Sequence, residues 1–305
     1  MVTVAIPTYN RASRLRQTLD GVSRQAFPTG RYEILVIDNR SQDETRSVVE
    51  SFAGSPAAPR YLFEPRQGLD YARNRAVAEA AGELLLFADD DILVEPDWLA
   101  RMAEPFEADA SGRIGAVGGE VIPVFPDGLP RWLAGWHSPL AFRPDSGPLT
   151  DRQSPMGANL AIRRSVLDRV GLFHTGLDRT GGSYFSGGDS DMVRRIRAAG
   201  FEVWFAPGAA VRHQLPASRT TFRYAARHAF DSARSAAADR GSGRGGRRFL
   251  AGRFAANLLK APAFALWAAL NLLVFRTGSG KKALVRAWRA CGYLYQAPRS
   301  LFGKL

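Results

Sequence analysis

Short apolar runs alternate with longer amphipathic stretches through the first part of the chain. Runs rich in branched and aliphatic side chains predict strands, and the stretches between them predict helices. The predicted strands lie at 2–6, 33–37 and 84–88, and the predicted helices lie near 11–26, 43–53 and 69–81. Apolar strands separated by amphipathic helices predict an α/β fold with a mostly parallel sheet and helices on its faces.

The pattern is less regular in the middle of the chain. Residues 114–124 predict strands interrupted by glycines, and residues 125–155 form a long irregular segment rich in Pro, Gly and Trp. Such segments are usually lids, binding loops or disordered. Residues 157–174 predict a strand and then a helix, and a helix after Asp189 precedes a predicted strand at 201–206.

Polar residues follow the first three predicted strands where each one ends. Asn10 and Arg11 come after the first strand, Asp38 to Asp43 after the second, and Asp89 to Asp91 after the third. Ligands of open α/β sheets bind at the carboxyl ends of the strands. These residues are therefore expected to gather at one edge of the sheet.

Composition limits the function less than the pattern does. Lys and Arg number 41 against 29 Asp and Glu, a net charge of +12, which fits nucleic acid, an anionic membrane surface or phosphate-bearing substrates. The single cysteine, Cys291, excludes an intrachain disulfide and a cysteine-based zinc site, and it suits a reducing cytosol. The first ten residues predict a strand, because they lack the basic and long apolar regions of a signal peptide.

Asp89, Asp90 and Asp91 form the most concentrated acidic group near a buried strand. Three adjacent carboxylates repel one another unless a cation or hydrogen-bond donors compensate. Mg²⁺ and Mn²⁺ prefer such oxygen ligands together with substrate phosphates. The alternative is a helix N-cap before the segment DWLARM.

Three further segments carry residues suited to holding a nucleotide. Thr8 and Tyr9 could pack on a base, Asp38 could accept from a base or a ribose, and Arg73 could contact ribose or phosphate. Turn formation, helix capping and a solvated helix face are the alternatives for these segments.

The order of these segments resembles the inverting family-2 glycosyltransferases with the GT-A (nucleotide-diphospho-sugar transferase) fold. The resemblance rests on PTYNR, DNRSQDET and GLDYARNRAVAEAAGELLLFADDD. It implies a site for a nucleotide-sugar donor and a DXD site for Mn²⁺ or Mg²⁺ at Asp89 to Asp91, with the first carboxylate usually towards the ribose. The donor residues it implies are Pro7, Thr8, Tyr9, Arg11, Asp38, Arg73, Asp89 and Asp90, and the metal ligand among the acids is Asp91.

The catalytic base is predicted in the segment Ser186-Gly-Gly-Asp-Ser-Asp-Met192. Inverting transfer needs a carboxylate that takes the proton of the acceptor hydroxyl. The family carries Glu-Asp here, so the resemblance assigns the base to Asp189, although Gly188 replaces the Glu. Asp191 is the alternative base on the acceptor side, and an N-cap followed by a first-turn acid is the structural alternative for both.

The resemblance also implies a metal ligand and an acceptor wall further along the chain. His213 matches a family histidine that completes the metal shell; the alternative is a histidine with only a hydrogen-bonding role. Gly157-Ala-Asn159 resembles the acceptor-side strand of the family. Trp132, Trp136 and His137 could stack on an acceptor sugar or anchor the irregular segment to the core.

The C-terminal part is helical, basic and partly apolar. Residues 240–248 form a Gly/Arg-rich break, the best linker candidate, and 249–275 is strongly apolar. The uncharged run 261–275 is short for a membrane span and has cations on both sides, which suits an interfacial helix. Packing on the catalytic domain, a dimer contact and a true membrane span are the alternatives.

These observations predict a catalytic domain at 1–215, with a nucleotide-binding half at 1–112 and an acceptor half at 113–215, and a helical extension at 216–305. We expect an inverting, cytoplasmic glycosyltransferase, peripheral at the inner face of the membrane, that acts on a carbohydrate, lipid-linked or small-molecule acceptor and binds no nucleic acid. The rivals are a sugar nucleotidyltransferase-like enzyme and a non-catalytic nucleic-acid-binding protein. A P-loop enzyme is not expected, because no Gly-rich loop ends in Lys-Ser/Thr.

Overall fold

The computed structural model describes residues 1–28, 30–134, 145–151, 153–179, 185–241 and 246–302. Its strands are β1 (Val2–Thr8), β2 (Tyr32–Asp38), β3 (Arg60–Phe63), β4 (Leu84–Ala88), β5 (Ile92–Val94), β6 (Ile114–Val124), β7 (Gly147–Pro148), β8 (Asn159–Arg163) and β9 (Glu202–Gln214). Its helices are α1 (Ala12–Val22), α2 (Thr45–Glu50), α3 (Leu69–Glu79), α4 (Trp98–Ala108), α5 (Arg164–Val170), α6 (Gly188–Ala198), α7 (Phe222–Gly241), α8 (Gly246–Leu273) and α9 (Thr277–Leu301).

All the strands form one mixed sheet in the order β3-β2-β1-β4-β8-β6-β9-β5, and β7 pairs with β9. The first four strands in this order are parallel to one another, as expected from the helices that connect them. Antiparallel pairing begins where β8 joins β4, and β6 and β9 then pair in parallel. The α/β prediction is confirmed, and the parallel part of the sheet is largely its N-terminal half.

Alternate residues along the central strands enter two separate apolar cores. Val4 and Leu86 contribute to one core with α1, α2 and α4, whereas Ala5 and Leu85 contribute to the other with α3, α5 and α6. Side chains of a strand point alternately to the two faces of a sheet, so both faces are covered by helices. Covering both faces leaves the strand ends and their loops for chemistry.

The predicted strands at 2–6, 33–37 and 84–88 correspond to β1, β2 and β4. β3 was not predicted, because this short edge strand is only partly buried and lacks a continuous apolar run. The segment 114–124 is one strand rather than several. A Cβ at Gly118 would collide with Pro155, and one at Gly119 would collide with Asn159 and the carbonyl of Ala209, so these glycines allow close packing instead of breaking the strand.

The chain divides into two compact units. The first contains Met1–Val124, Pro139–Thr175 and Gly188–Gln214, and the second contains Phe125–Ser138, Gly176–Gly187 and Leu215–Leu305. The second unit is built mainly of α7, α8 and α9, whose core contains Ala233, Ala237, Leu250, Tyr293 and Ala297. Among the described residues, α8 is the one helix long and apolar enough to cross a membrane by length and composition.

His228 on α7 should make the stability of the second unit sensitive to acid. Burial, followed by the charges of Arg179, Arg219 and Arg289, lowers its pKa to about 4. In the unfolded chain, a histidine with an ordinary pKa takes up a proton near pH 6.5, whereas His228 of the folded chain stays neutral until about pH 4. Protonation therefore favours the unfolded chain, and the free energy of unfolding decreases as the pH falls from about 6.5 towards 4.

We therefore compare the wild-type protein with His228→Phe, which keeps an aromatic ring against Tyr224. In urea titrations, the free energy of unfolding of the wild-type protein should fall between pH 7 and pH 5 by on the order of 1–2 kcal/mol more than that of the variant. Equal falls in the two proteins would show that His228 titrates normally.

Candidate functional site

The loops that follow β1 and β2 are joined to each other. The Asn10 backbone N–H donates to Ser41 Oγ at 2.9 Å, and the Gln42 backbone N–H donates to Asn10 Oδ1 at 2.7 Å. Asn10 and Arg40 both have positive φ angles, 52° and 70°. Such backbone geometry costs free energy for residues other than glycine and often occurs at functional sites. The two loops therefore form a fixed wall at the carboxyl end of the sheet.

The residues predicted to hold the nucleotide base lie along this wall. Tyr9 is 43% exposed, whereas Thr8 and Asp38 are buried. Asp38 accepts hydrogen bonds from the Ser41 backbone N–H and the Tyr61 hydroxyl, both at 2.7 Å. Burial, followed by the hydrogen bond to Asp38 and its charge, raises the pKa of Tyr61 well above its ordinary value. Pro7 is partly buried at the end of β1.

Asp90 is buried and bound by protein donors. Its Oδ2 accepts from Thr8 Oγ1 and its Oδ1 accepts from Arg11 Nη1, both at 2.8 Å. Arg11 also donates to Asp91 Oδ2 at 2.8 Å. Burial lowers the pKa of Arg11, but the charges of Asp90 and Asp91 outweigh it and raise the pKa above its ordinary value. We therefore propose that Asp90 and Arg11 support the loops rather than contact the donor directly.

Asp89, Asp91 and His213 bring their ligand atoms within 4.8 Å of one another. His213 Nε2 lies 2.9 Å from Asp91 Oδ1 and 3.6 Å from Asp89 Oδ2. The β5–β9 pairing sets this contact, because Ile92 is opposite His213 in the register. Two carboxylates and an imidazole are a suitable ligand set for Mn²⁺. These three side chains therefore fit the divalent metal predicted from the sequence.

Without a metal, a proton on His213 offsets the two acidic charges. Burial lowers the pKa of His213, but hydrogen bonds to Asp89 and Asp91 outweigh it and raise the pKa to about 9. Burial raises the pKa of Asp91, but the hydrogen bond to His213 outweighs it and lowers that pKa below its ordinary value. The cluster thus attracts a positive charge, which a proton or a divalent cation can supply.

Asp189 lies in the first turn of α6 and is held from two sides. Arg73 Nη2 lies 2.8 Å from its Oδ1, and the Gly157 backbone N–H donates to its Oδ2 at 2.9 Å. Arg73 is itself buried and lies over the ring of Phe173. A Cβ at Gly157 would collide with the side-chain ends of both Arg73 and Asp189, so a larger residue here would have to displace this pair. The sequence assigned Arg73 to the nucleotide, but the structure places it against the predicted base.

Strand register brings Asp189 and the acidic cluster to the same edge of the sheet. Ala88, which immediately precedes Asp89, is opposite Asn159 in the antiparallel β4–β8 pair. Gly157, which binds Asp189, lies two residues before Asn159. The predicted base is therefore bound just before β8, next to the end of β4 where the predicted metal cluster begins.

Asp191, the alternative base, has a different environment. Its Oδ1 accepts from Arg194 at 2.7 Å, and its Oδ2 accepts from Arg195 Nε and lies near His174 Nδ1, both at 2.9 Å. Arg195 also donates to backbone carbonyls of residues 170–172. Asp191 is buried in these contacts and anchors α6, so the geometry favours Asp189 as the base.

The residues predicted on the acceptor side have different surroundings. Asn159 is fully buried, accepts from Trp98 Nε1 and donates to the carbonyls of Glu120 and Ala209. We reassign Asn159 from the acceptor to internal support, because its amide joins β8 to three other segments. Trp132 lies in the second unit, edge-on to Phe222 at 6.2 Å. Trp136 and His137 lie outside the described residues.

Two residues of the site were not predicted from the sequence. Tyr61 was missed because β3 was missed. Gly157 was noticed only within an acceptor motif, although a glycine just before a buried strand is a signal for close backbone approach.

The fold and these strand-end groups define the class of nucleotide-sugar transferases with the GT-A fold. The sequence profile of Glycosyl transferase family 2 matches residues 3–171, more than half of the chain. This chain therefore belongs to glycosyl transferase family 2.

Curated relatives and solved structures agree with this assignment. The chain is 30% identical to Glycosyltransferase AglE of Haloferax volcanii over 67% of this chain and 64% of AglE. It is 27% identical to Succinoglycan biosynthesis protein ExoM of Rhizobium meliloti over 76% of this chain and 72% of ExoM. The mannosyltransferase PcManGT of Pyrobaculum calidifontis, solved with GDP-Man and Mn²⁺, has the same fold, with a TM-score of 0.63, 23% identity and coverage of 100% of this chain and 88% of PcManGT.

Proposed function

We propose that this chain is a metal-dependent inverting glycosyltransferase that moves a sugar from a nucleotide-diphosphate sugar to a hydroxyl acceptor. The supporting observation is that Asp189 is bound just before β8, while the Asp89–Asp91–His213 cluster begins at the adjacent end of β4. A base and a metal site at one sheet edge suit a reaction in which an acceptor is deprotonated as a diphosphate leaves. In this proposal the catalytic domain is 1–215 and the helical extension is 216–305.

Each group has one proposed role. Tyr9 and the wall that follows β1 and β2 hold the nucleotide. Asp89, Asp91 and His213 hold Mn²⁺ or Mg²⁺, which would neutralise charge on the departing diphosphate. Asp189 takes the proton of the acceptor hydroxyl while that oxygen attacks the sugar carbon from the face opposite the nucleotide.

Arg73 and Gly157 are proposed as positioning groups for Asp189. Their two donors hold both carboxylate oxygens and so fix the direction in which the remaining lone pairs point. A base held in one orientation reacts faster than one that must be ordered during the reaction.

Arg73→Met should therefore lower kcat by on the order of 10²-fold and change the donor KM little. Arg73→Lys should recover part of the loss, since it keeps a charge but not the planar group. Arg75→Met is a matched control on the same helix, where the side chain of Arg75 is 42% exposed and pairs with Glu79. Steady-state kinetics distinguish an Arg73 that positions Asp189 from an Arg73 that binds the nucleotide. A raised donor KM with unchanged kcat would indicate that Arg73 binds the nucleotide.

Donor hydrolysis by the purified protein tests the proposed activity. Nucleotide sugars of several bases and sugars are incubated with Mn²⁺, with Mg²⁺ and with a chelator. Slow, metal-dependent release of nucleoside diphosphate from one donor is expected; release of pyrophosphate from a sugar phosphate and a nucleoside triphosphate would favour the nucleotidyltransferase instead. If no donor is hydrolysed and none shows metal-dependent binding by calorimetry, the proposal fails.

The acceptor is proposed from the relatives. One relative, 24% identical over 72% of this chain and 71% of its own length, is the Glucosyl-dolichyl phosphate glucuronosyltransferase of Haloferax volcanii. With ExoM, a succinoglycan biosynthesis protein, it supports a lipid-linked or polysaccharide acceptor. We therefore propose that the enzyme works in the cytoplasm, at the inner face of the membrane.

A further inference from the structure

The positive charge of the chain is concentrated near its C-terminus. Residues 240–305 contain 13 Lys and Arg and no Asp or Glu, whereas residues 1–239 contain 28 Lys and Arg and 29 Asp and Glu. The net charge of +12 therefore comes entirely from this acid-free segment, 240–305. Such an asymmetry indicates an anionic partner for that segment rather than for the rest of the chain.

The same segment exposes large apolar side chains on α8 and just after it. No charged residue lies between Lys260 and Arg276. The exposed apolar residues of this stretch are Leu266, Trp267, Leu270, Leu272, Leu273, Val274 and Phe275, from 41% to 90% exposed. A contiguous apolar surface of this kind marks an interaction site.

The side of α8 buried in the second unit is made of different residues. Leu250, Asn257, Ala268 and Asn271 are the buried side chains of this helix, so in its second half the buried positions are small or polar. The larger apolar side chains from Leu266 onwards are mostly exposed, although Leu272 also lies close to Gly280 of α9. The second unit therefore does not use this surface as its own core.

We propose that α8 docks the protein on an anionic membrane leaflet, lying in the plane of the interface. The apolar surface would enter the boundary between headgroups and acyl chains, while Lys260, Arg276 and Arg286 contact anionic headgroups. This docking does not depend on the proposed activity.

Three other occupants suit the surface less well. A nucleic acid would match the cations but leave the apolar side chains in water. A second copy would bring two acid-free surfaces of the same sign together. A membrane span needs about 20 apolar residues, but only 261–275 is free of charge and Pro262 lies within it.

Vesicle sedimentation with the full-length protein tests the docking. Binding is measured on vesicles of neutral phosphatidylcholine and on vesicles with about a third of anionic phosphatidylglycerol, at about 0.1 M and about 1 M NaCl. The protein should bind the anionic vesicles at low salt, bind them less at high salt, and be released from them by alkaline carbonate. Its tryptophan emission should shift to the blue on binding, and Trp267→Phe should reduce the shift.

Two triple variants separate the contribution of the cations to vesicle binding from that of the apolar side chains. Lys260→Gln with Arg276→Gln and Arg286→Gln should weaken binding to anionic vesicles by on the order of 100-fold, since each cation contributes about fivefold. Leu266→Gln with Leu270→Gln and Leu273→Gln should weaken it by at least about tenfold. Two control variants change exposed residues of the first unit: Arg24→Gln with Arg113→Gln, and Leu172→Gln alone. Both should bind the vesicles as the wild-type protein does.

Several results would overturn the docking. These are no binding to either vesicle, equal binding to neutral and anionic vesicles, and retention after carbonate, which would mean a span. The surface would instead belong to a second copy of the chain if the wild-type protein binds no vesicles and light scattering shows that it is a dimer. The leucine variant would then be a monomer. Salt-sensitive binding to DNA or RNA without vesicle binding would assign it to nucleic acid.

Discussion

Asp189→Asn is expected to abolish sugar transfer while donor binding is retained. The amide cannot take the proton of the acceptor hydroxyl, and loss of a general base lowers kcat by roughly 10²–10⁴-fold. Donor affinity should change little, because Asp189 is held by Arg73 and Gly157, whereas the proposed nucleotide contacts lie on the wall that follows β1 and β2. Transfer is measured with a confirmed donor and acceptor, and donor binding is measured by calorimetry.

Two neighbours on α6 serve as controls for this variant. Ser190→Ala changes an exposed side chain and should leave transfer intact. Asp191→Asn should lower the melting temperature, because Arg194 and Arg195 lose a charged partner, but it should keep transfer in the protein that remains folded. Full turnover by Asp189→Asn would exclude it as the base, and loss of transfer in folded Asp191→Asn would move that role to Asp191.

The nucleotide-binding half could be predicted well from the sequence because its signals are local. β1, β2 and β4 are short, mainly apolar runs, and each is followed directly by the polar residues of its loop. Parallel strands place their carboxyl ends at one edge, so the neighbourhood of these loops follows from strand order alone. The gathering of Asp89 and Asp91 with His213 needed the family resemblance, since Asp91 and His213 are 122 positions apart in the sequence.

What could not be predicted depends on contacts between distant segments. Arg73 on α3 contacts Asp189 on α6. No local sequence pattern distinguishes an arginine that pairs with a carboxylate of the protein from one that binds a phosphate of the ligand. Asn159 was assigned to the acceptor from a motif, but its burial depends on the close approach that Gly119 permits. The sequence indicated an interfacial helix at 261–275, but it could not show which side chains of α8 are exposed, because apolar composition does not show which face of a helix is buried.

Asp89→Asn should weaken Mn²⁺ binding and transfer without unfolding the protein. The cluster loses one of its two carboxylates, which should lower metal affinity by at least the roughly 10–100-fold that is typical when a residue supporting a ligand is removed. The Asp89 side chain is 35% exposed, so its replacement leaves little unsatisfied charge in the interior. Mn²⁺ affinity is measured by electron paramagnetic resonance of the free ion, and stability is measured by thermal unfolding.

Asp90→Asn is the matched control, because it changes the adjacent carboxylate in the same way. Asp90 is buried against Thr8 and Arg11, so the variant should lose about 1–3 kcal/mol of unfolding free energy but keep most of its Mn²⁺ affinity. If Asp89→Asn lowers donor affinity and leaves Mn²⁺ affinity unchanged, Asp89 faces the ribose, as the DXD pattern first suggested. If Asp90→Asn loses Mn²⁺ binding while Asp89→Asn keeps it, the assignment of the two carboxylates must be reversed.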